Sequence, residues 1–126
     1  MAAISTYLAN IINNEVLRNT NYTPVATVYL AAYTTNPTAA DTGTEVTGGS
    51  YARQAITWTA SSAGSTSSAA DVNFATMPAT TVAYLGIRDA LSGGNLLFYG
   101  PLAAAKTLNA GDTFTVKAGD LINALS

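Results

Sequence analysis

Short stretches in which apolar side chains alternate with their neighbours, cut by Gly, Pro, Asn and Asp about every ten residues, constrain this chain more than any other feature. Over 26–34, Val28, Leu30 and Ala32 alternate against Tyr29, Ala31 and Tyr33, the period of a strand covered on both faces. Residues 50–58 repeat the pattern, separating Ala52, Gln54, Ile56 and Trp58 from Tyr51, Arg53, Ala55 and Thr57. Further strands are predicted at 71–74, 81–89, 96–99, 113–116 and 121–125, with Gly100 and Pro101 ending the one that begins at Leu96. Such a chain is expected to be mainly β, an antiparallel β-sandwich with Greek-key or jelly-roll-like connections. Its aromatic residues belong in the core or in a subunit interface.

One segment departs from that period. Over 4–18, Ile4, Tyr7, Leu8, Ile11, Ile12 and Val16 recur at helical spacing, which predicts one N-terminal α-helix. Ser5 or Thr6 caps its start, Arg18 suits the negative end of its dipole, and Asn19, Asn21 and Pro24 stop it. The helix is expected to cover one face or end of the sheet, with Tyr7 and Ile11 available to a neighbouring subunit. Residues 25–126 form the sandwich, and the 126 residues make a single domain that buries its own core without a metal or disulfide. The Ser/Ala/Gly stretch 60–70 reads as a hairpin or edge connection.

Between the first two strands lies a loop of about fifteen residues, long enough inside a compact domain to be functional or mobile. Pro37 sets φ, Asp41 and Gly43 form a turn, and Gly48 and Gly49 permit positive φ before the next strand. Partner contacts are expected at Pro37, Asp41, Glu45, Gly48 and Gly49, with Tyr51 and Arg53 fixing the loop's exit. A lone Arg among alternating apolar positions needs a carboxylate, and Glu45 is the expected partner. Arg53→Ala is then expected to leave a protease-sensitive loop on a folded core.

The chain has no cysteine and no histidine, which excludes thiolate and imidazole catalysis and Cys/His zinc sites. Asp41 with Glu45, Asp71 and Asp89 do not specify the carboxylate pair of a glycosidase. Gly48-Gly49 and Gly93-Gly94 lack the Lys and helix of a phosphate loop. Asp112 and Asp120 sit in two copies of Ala-Gly-Asp, where they read as backbone caps rather than calcium ligands. No catalytic residue, cofactor or metal is therefore expected. Arg18, Arg53, Arg88, Lys106 and Lys117 are scattered through a chain of net charge -2, so nucleic acid is not an expected partner. Neither a signal peptide nor an apolar run of membrane length appears, and no membrane contact is expected. Charged residues amount to 10%, which leaves a Thr, Ser, Ala and Gly surface suited to packing against copies or a larger assembly.

Several segments together resemble a known family: Leu17-Arg-Asn-Thr-Asn-Tyr22, Val28-Tyr-Leu-Ala-Ala-Tyr-Thr34, Pro37, Gly43-Thr-Glu-Val-Thr-Gly-Gly-Ser-Tyr-Ala-Arg-Gln54, Leu85-Gly-Ile-Arg-Asp89, Gly93-Gly-Asn-Leu-Leu-Phe-Tyr-Gly100 and Asn109-Ala-Gly-Asp112. The chain is similar to small structural proteins of tailed bacteriophages, labelled capsid decoration (cement) proteins or tail fibre proteins. The resemblance implies a non-enzymatic β-rich protein of the virion, assembled in the host cytoplasm, that is a homotrimer. Its first implied role is as a decoration protein that binds the major capsid protein on the outer surface and stabilises the head. The second is a tail fibre or receptor-binding module that contacts a host surface glycan.

Overall fold

A computed structural model describes residues 3–125; the outermost positions of the predicted domain, Met1, Ala2 and Ser126, lie outside them. Nine strands and one helix follow in the order β1 (Ala3–Ile4), α1 (Thr6–Arg18), β2 (Val28–Tyr33), β3 (Gln54–Ile56), β4 (Ser65–Ser67), β5 (Val72–Phe74), β6 (Thr80–Arg88), β7 (Leu96–Leu108), β8 (Phe114–Val116) and β9 (Ile122–Ala124). All pairings are antiparallel. One sheet has the order β1-β7-β6-β2-β3, and β4-β9 and β5-β8 form two ribbons. The chain makes the first hairpin of the sheet, leaves for β4 and β5, returns for β6 and β7, and leaves again for β8 and β9. Each late strand pairs with an early one, so the layers are sewn together in a sandwich-like fold.

Residues opposite each other across an antiparallel pair share a face. Leu30 lies opposite Ile87, Ala32 opposite Leu85, Val28 opposite Ile56 and Ile87 opposite Phe98. This face packs with Val72, Phe74, Phe114 and Val116 of the β5-β8 ribbon in one buried cluster. Phe74 stacks between Tyr51 and Phe114, with centroids 5.8 Å from each. Fully burying each such side chain stabilises by about 1.5–3 kcal/mol. The opposite face carries Tyr29, Ala31, Tyr33, Gly86 and Arg88, as the register requires.

Several boundaries differ from the sequence expectation. Ile4 belongs to β1, paired opposite Phe98, and the helix starts at Thr6 because Ser5 is the cap: its Oγ accepts from Leu8 N at 3.1 Å. Asn19 ends the helix in the left-handed conformation, φ 54°, its N–H donating to Asn14 O. The strand expected over 50–58 keeps only Gln54–Ile56 in the sheet, with Trp58 in an isolated bridge to Ser68. Gly100 and Pro101 do not end β7, which runs on to Leu108. The pairing with β6 shifts between Val82 and Tyr84, opposite this part of β7. Pro101, opposite Tyr84, sits at that shift, where an irregular ladder tolerates a missing N–H. Within 60–70, Ser65–Ser67 pairs with β9, so this stretch is an edge element.

The repeated tripeptide does form two matching turns. Asp112 N donates to Asn109 O and Asp120 N to Lys117 O, each at 3.1 Å, around Gly111 and Gly119 at φ 91° and 83°. Asp112 Oδ2 also accepts from Asn109 N at 2.8 Å, the capping role expected of it.

Candidate functional site: a loop pair fastened by two arginines

Beyond Leu30, β3 no longer pairs with β2, and the loop 34–53 takes over that edge. Val46 N donates to Ala32 O and Thr34 N to Thr44 O, both at 2.9 Å, while Tyr33 and Glu45 form a bridge. Tyr51 completes the edge: its hydroxyl accepts from Ala32 N at 3.0 Å and donates to Glu45 Oε2 at 2.7 Å. An edge N–H that would otherwise lack a partner thus reaches a carboxylate through one phenol.

Arg53 closes the loop as its sequence position predicts. Its Nε and Nη2 donate to the two oxygens of Glu45 at 2.9 and 2.8 Å. Its Nη1 reaches across to the hairpin turn between β6 and β7, donating to Ala90 O at 2.9 Å and Gly93 O at 2.8 Å. A second arginine repeats the device. Arg88 donates from Nη1 and Nη2 to Asp41 at 2.7 and 2.9 Å, from Nη1 to the Tyr33 hydroxyl at 2.9 Å, and from Nη2 to Gly94 O at 3.1 Å. Asp89 holds the same turn, accepting from Asn95 N at 2.7 Å and Asn95 Nδ2 at 3.1 Å. Two planar forks therefore tie the long loop to the 89–95 turn, the bidentate geometry that suits Arg and not Lys.

The electrostatics follow from this arrangement. Burial pushes the Glu45 carboxyl up, but hydrogen bonds from Arg53 and Tyr51 outweigh it and hold the group below its ordinary value. Burial pushes the Tyr51 phenol strongly up, keeping it protonated as the donor to Glu45. Burial opposes the charge on Arg88, and its bonds to Asp41 and Tyr33 more than restore it. Both carboxylates are engaged by a guanidinium, so the cluster satisfies itself. Its chemistry is that of a fastener.

The residues singled out for contact divide into two groups. Pro37 is buried, and Gly43 sits so close that a Cβ there would lie 2.5 Å from Pro37 Cα. Tyr51, Glu45 and Arg53 are half-buried supports, and Ile11 packs against the core. Asp41, Gly48, Gly49 and Tyr7 are exposed. Gly48 and Gly49 adopt φ of 98° and 55°, as their position in the loop predicts. The sequence reading missed Arg88, Tyr33 and the carbonyls of Gly93 and Gly94. No local spacing points to them, since Arg88 and Asp41 are 47 positions apart. A cleft of about 270 Å³ opens between loop and turn, lined by Glu45, Val46, Tyr51, Ala52, Arg53, Leu91 and Ser92. Leu91 stands 56% exposed at its rim.

Comparison with known families settles the kinship. The family model described as Podophage GP4 fiber I protein gp80 matches residues 3–123. The chain belongs to this family. It is thus a phage virion protein of a fibre family, and the match spans the sheet, the β5-β8 ribbon, the arginine-fastened loops and all but the last residue of the β4-β9 ribbon. No curated protein matches the chain.

Proposed function

We propose that this chain is a non-enzymatic building part of a phage tail fibre, with the fastened loops as the end that meets another surface. The observation that carries this reading is the fibre-family match over residues 3–123. It supports the fibre role over capsid decoration, which rested on the resemblance alone. The geometry fits a part that must present loops without deforming: both loops are locked to each other by side chains rather than left to order on contact. Apart from the ion-paired Asp41, Glu45 and Arg53, what they present is uncharged, with Thr42, Thr44, Thr47, Gly48, Gly49 and Ser50 on one side and Leu91 and Ser92 on the other. Self-association and contact with a host surface glycan belong to the same reading, since a fibre is built from copies and ends at the host. Copy number decides between the two roles. Quantitative mass spectrometry of purified particles should give a few to a few dozen copies relative to the major capsid protein. A count in the hundreds would mean a decorated head and would refute the fibre role.

A further inference from the structure

Independently of the fibre reading, the gap between the sheet and the β4-β9 ribbon has the makings of a ligand site. It is a cavity of about 190 Å³ lined by Val28, Trp58, Thr66, Ile87, Leu97, Phe98 and Asn123. Ile87 and Leu97 are buried, whereas Val28, Trp58, Thr66 and Phe98 are half-buried and mark its mouth. Thr66 and Asn123 lie directly opposite each other in the ribbon, so both face inward over an otherwise apolar and aromatic lining. A ribbon covering a core would be expected to place apolar residues there.

Asn123 is only 7% exposed, and its Oδ1 is the one buried side-chain polar atom among the described residues that has no hydrogen-bond partner. Such an atom in a native fold calls for an explanation. Thr66 cannot supply the missing donor, because its hydroxyl donates to Thr59 O. The site therefore offers an apolar space and, at Asn123 Oδ1, a fully buried acceptor without a partner. Benzene occupies an apolar cavity of about 150 Å³, so this space admits one six-membered ring with a small substituent. A sugar does not suit it, since several of its hydroxyls would lose water and find no partner.

We propose that this cavity binds a small aromatic ring bearing one hydrogen-bond donor, of the phenol class, with the ring against Trp58 and Phe98 and the donor on Asn123 Oδ1. Trp58 is the only tryptophan in the chain, so its indole N–H resonance and its fluorescence report the cavity without assignment of other signals. The test titrates the whole protein with phenol, benzene and glucose. Phenol is expected to shift the Trp58 signal saturably and to bind about tenfold more tightly than benzene, the gain from satisfying a buried acceptor. Asn123→Leu is expected to erase that preference. Equal binding of phenol and benzene by the unaltered protein would overturn the assignment to Asn123, whether or not the variant folds. So would a phenol preference that persists in a folded Asn123→Leu protein. Saturation by glucose but not phenol, or no response to any of the three, would overturn the site itself.

Discussion

Gly86 carries no side chain because two others already occupy the space: a Cβ there would lie 2.7 Å from Tyr33 Cε2 and 2.9 Å from Leu96 Cδ1. Its backbone is ordinary, so the requirement is close packing in mid-sheet and not conformational freedom. Gly86→Ala should cost about 1–3 kcal/mol, read as a lower denaturation midpoint, and should displace Tyr33 from Arg88. Arg53→Ala should cost about 2–3 kcal/mol, discounted for the exposure of Glu45, because a half-buried carboxylate loses both its bidentate bonds. Limited proteolysis should then cut within 34–53 while the core stays folded, and Arg53→Lys should restore only part of the protection. Glu45 gives the fold an acid response. Its folded value lies below the ordinary 4.5, so its stabilisation is fully present above that pH and is lost as pH falls through the lower folded value. Thermal midpoints of the parent and Glu45→Gln should therefore differ most near neutrality and converge on acidification; a constant gap would contradict this.

At the scale of elements, the helix and the fastened loop meet: Thr6 N donates to Ala39 O at 2.9 Å, and Ser5 N to Leu97 O at 3.0 Å. Ser5 is thus a cap, a link to β7 and a buried hydroxyl at once, being 1% exposed. Ser5→Ala should cost about 1–2 kcal/mol, with loss of helical signal measured by circular dichroism. The helix itself was legible from its spacing, but not the residue at which it starts. Ile4 fits the helical stripe and the sheet edge equally well, and only β7 alongside decides for the strand. The 50–58 strand shows the same effect from the other side. Alternation alone cannot tell that residues 51–53 leave the ladder so that Tyr51 can stack on Phe74 and Arg53 can reach Glu45.

For the whole molecule, the pairing predicts an order of stability. β2 and β6 have strands on both sides and buried residues on both faces, whereas the β4-β9 ribbon is two-stranded and three residues long, with Ser65 and Ser67 in β4. Hydrogen exchange should be slowest in β2 and β6 and should reach 65–67 and 122–124 first. Uniform protection across both layers would show that the ribbon is held as firmly as the sheet. An exchange pattern in which phenol protects the ribbon would place the cavity ligand between the layers, where the unpaired Asn123 acceptor lies.

Features that depend on near neighbours could be read along the chain before any folding was known. Period-two alternation set the β class, helical spacing set α1, glycines set the turns at 111 and 119, and a charge eight positions from its partner set Arg53 against Glu45. The tertiary structure decided everything that joins distant segments. Arg88 meets Asp41 only because β6 pairs with β2 beneath the loop, and both arginines converge on the 89–95 turn only because that hairpin returns beside it. β7 passes through Pro101 because its ladder with β6 shifts register beside it, and Asn123 is left over a cavity because a ribbon formed by strands 65–67 and 122–124 closes on an apolar sheet. Spacing records local geometry, whereas such encounters exist only once the layers have packed.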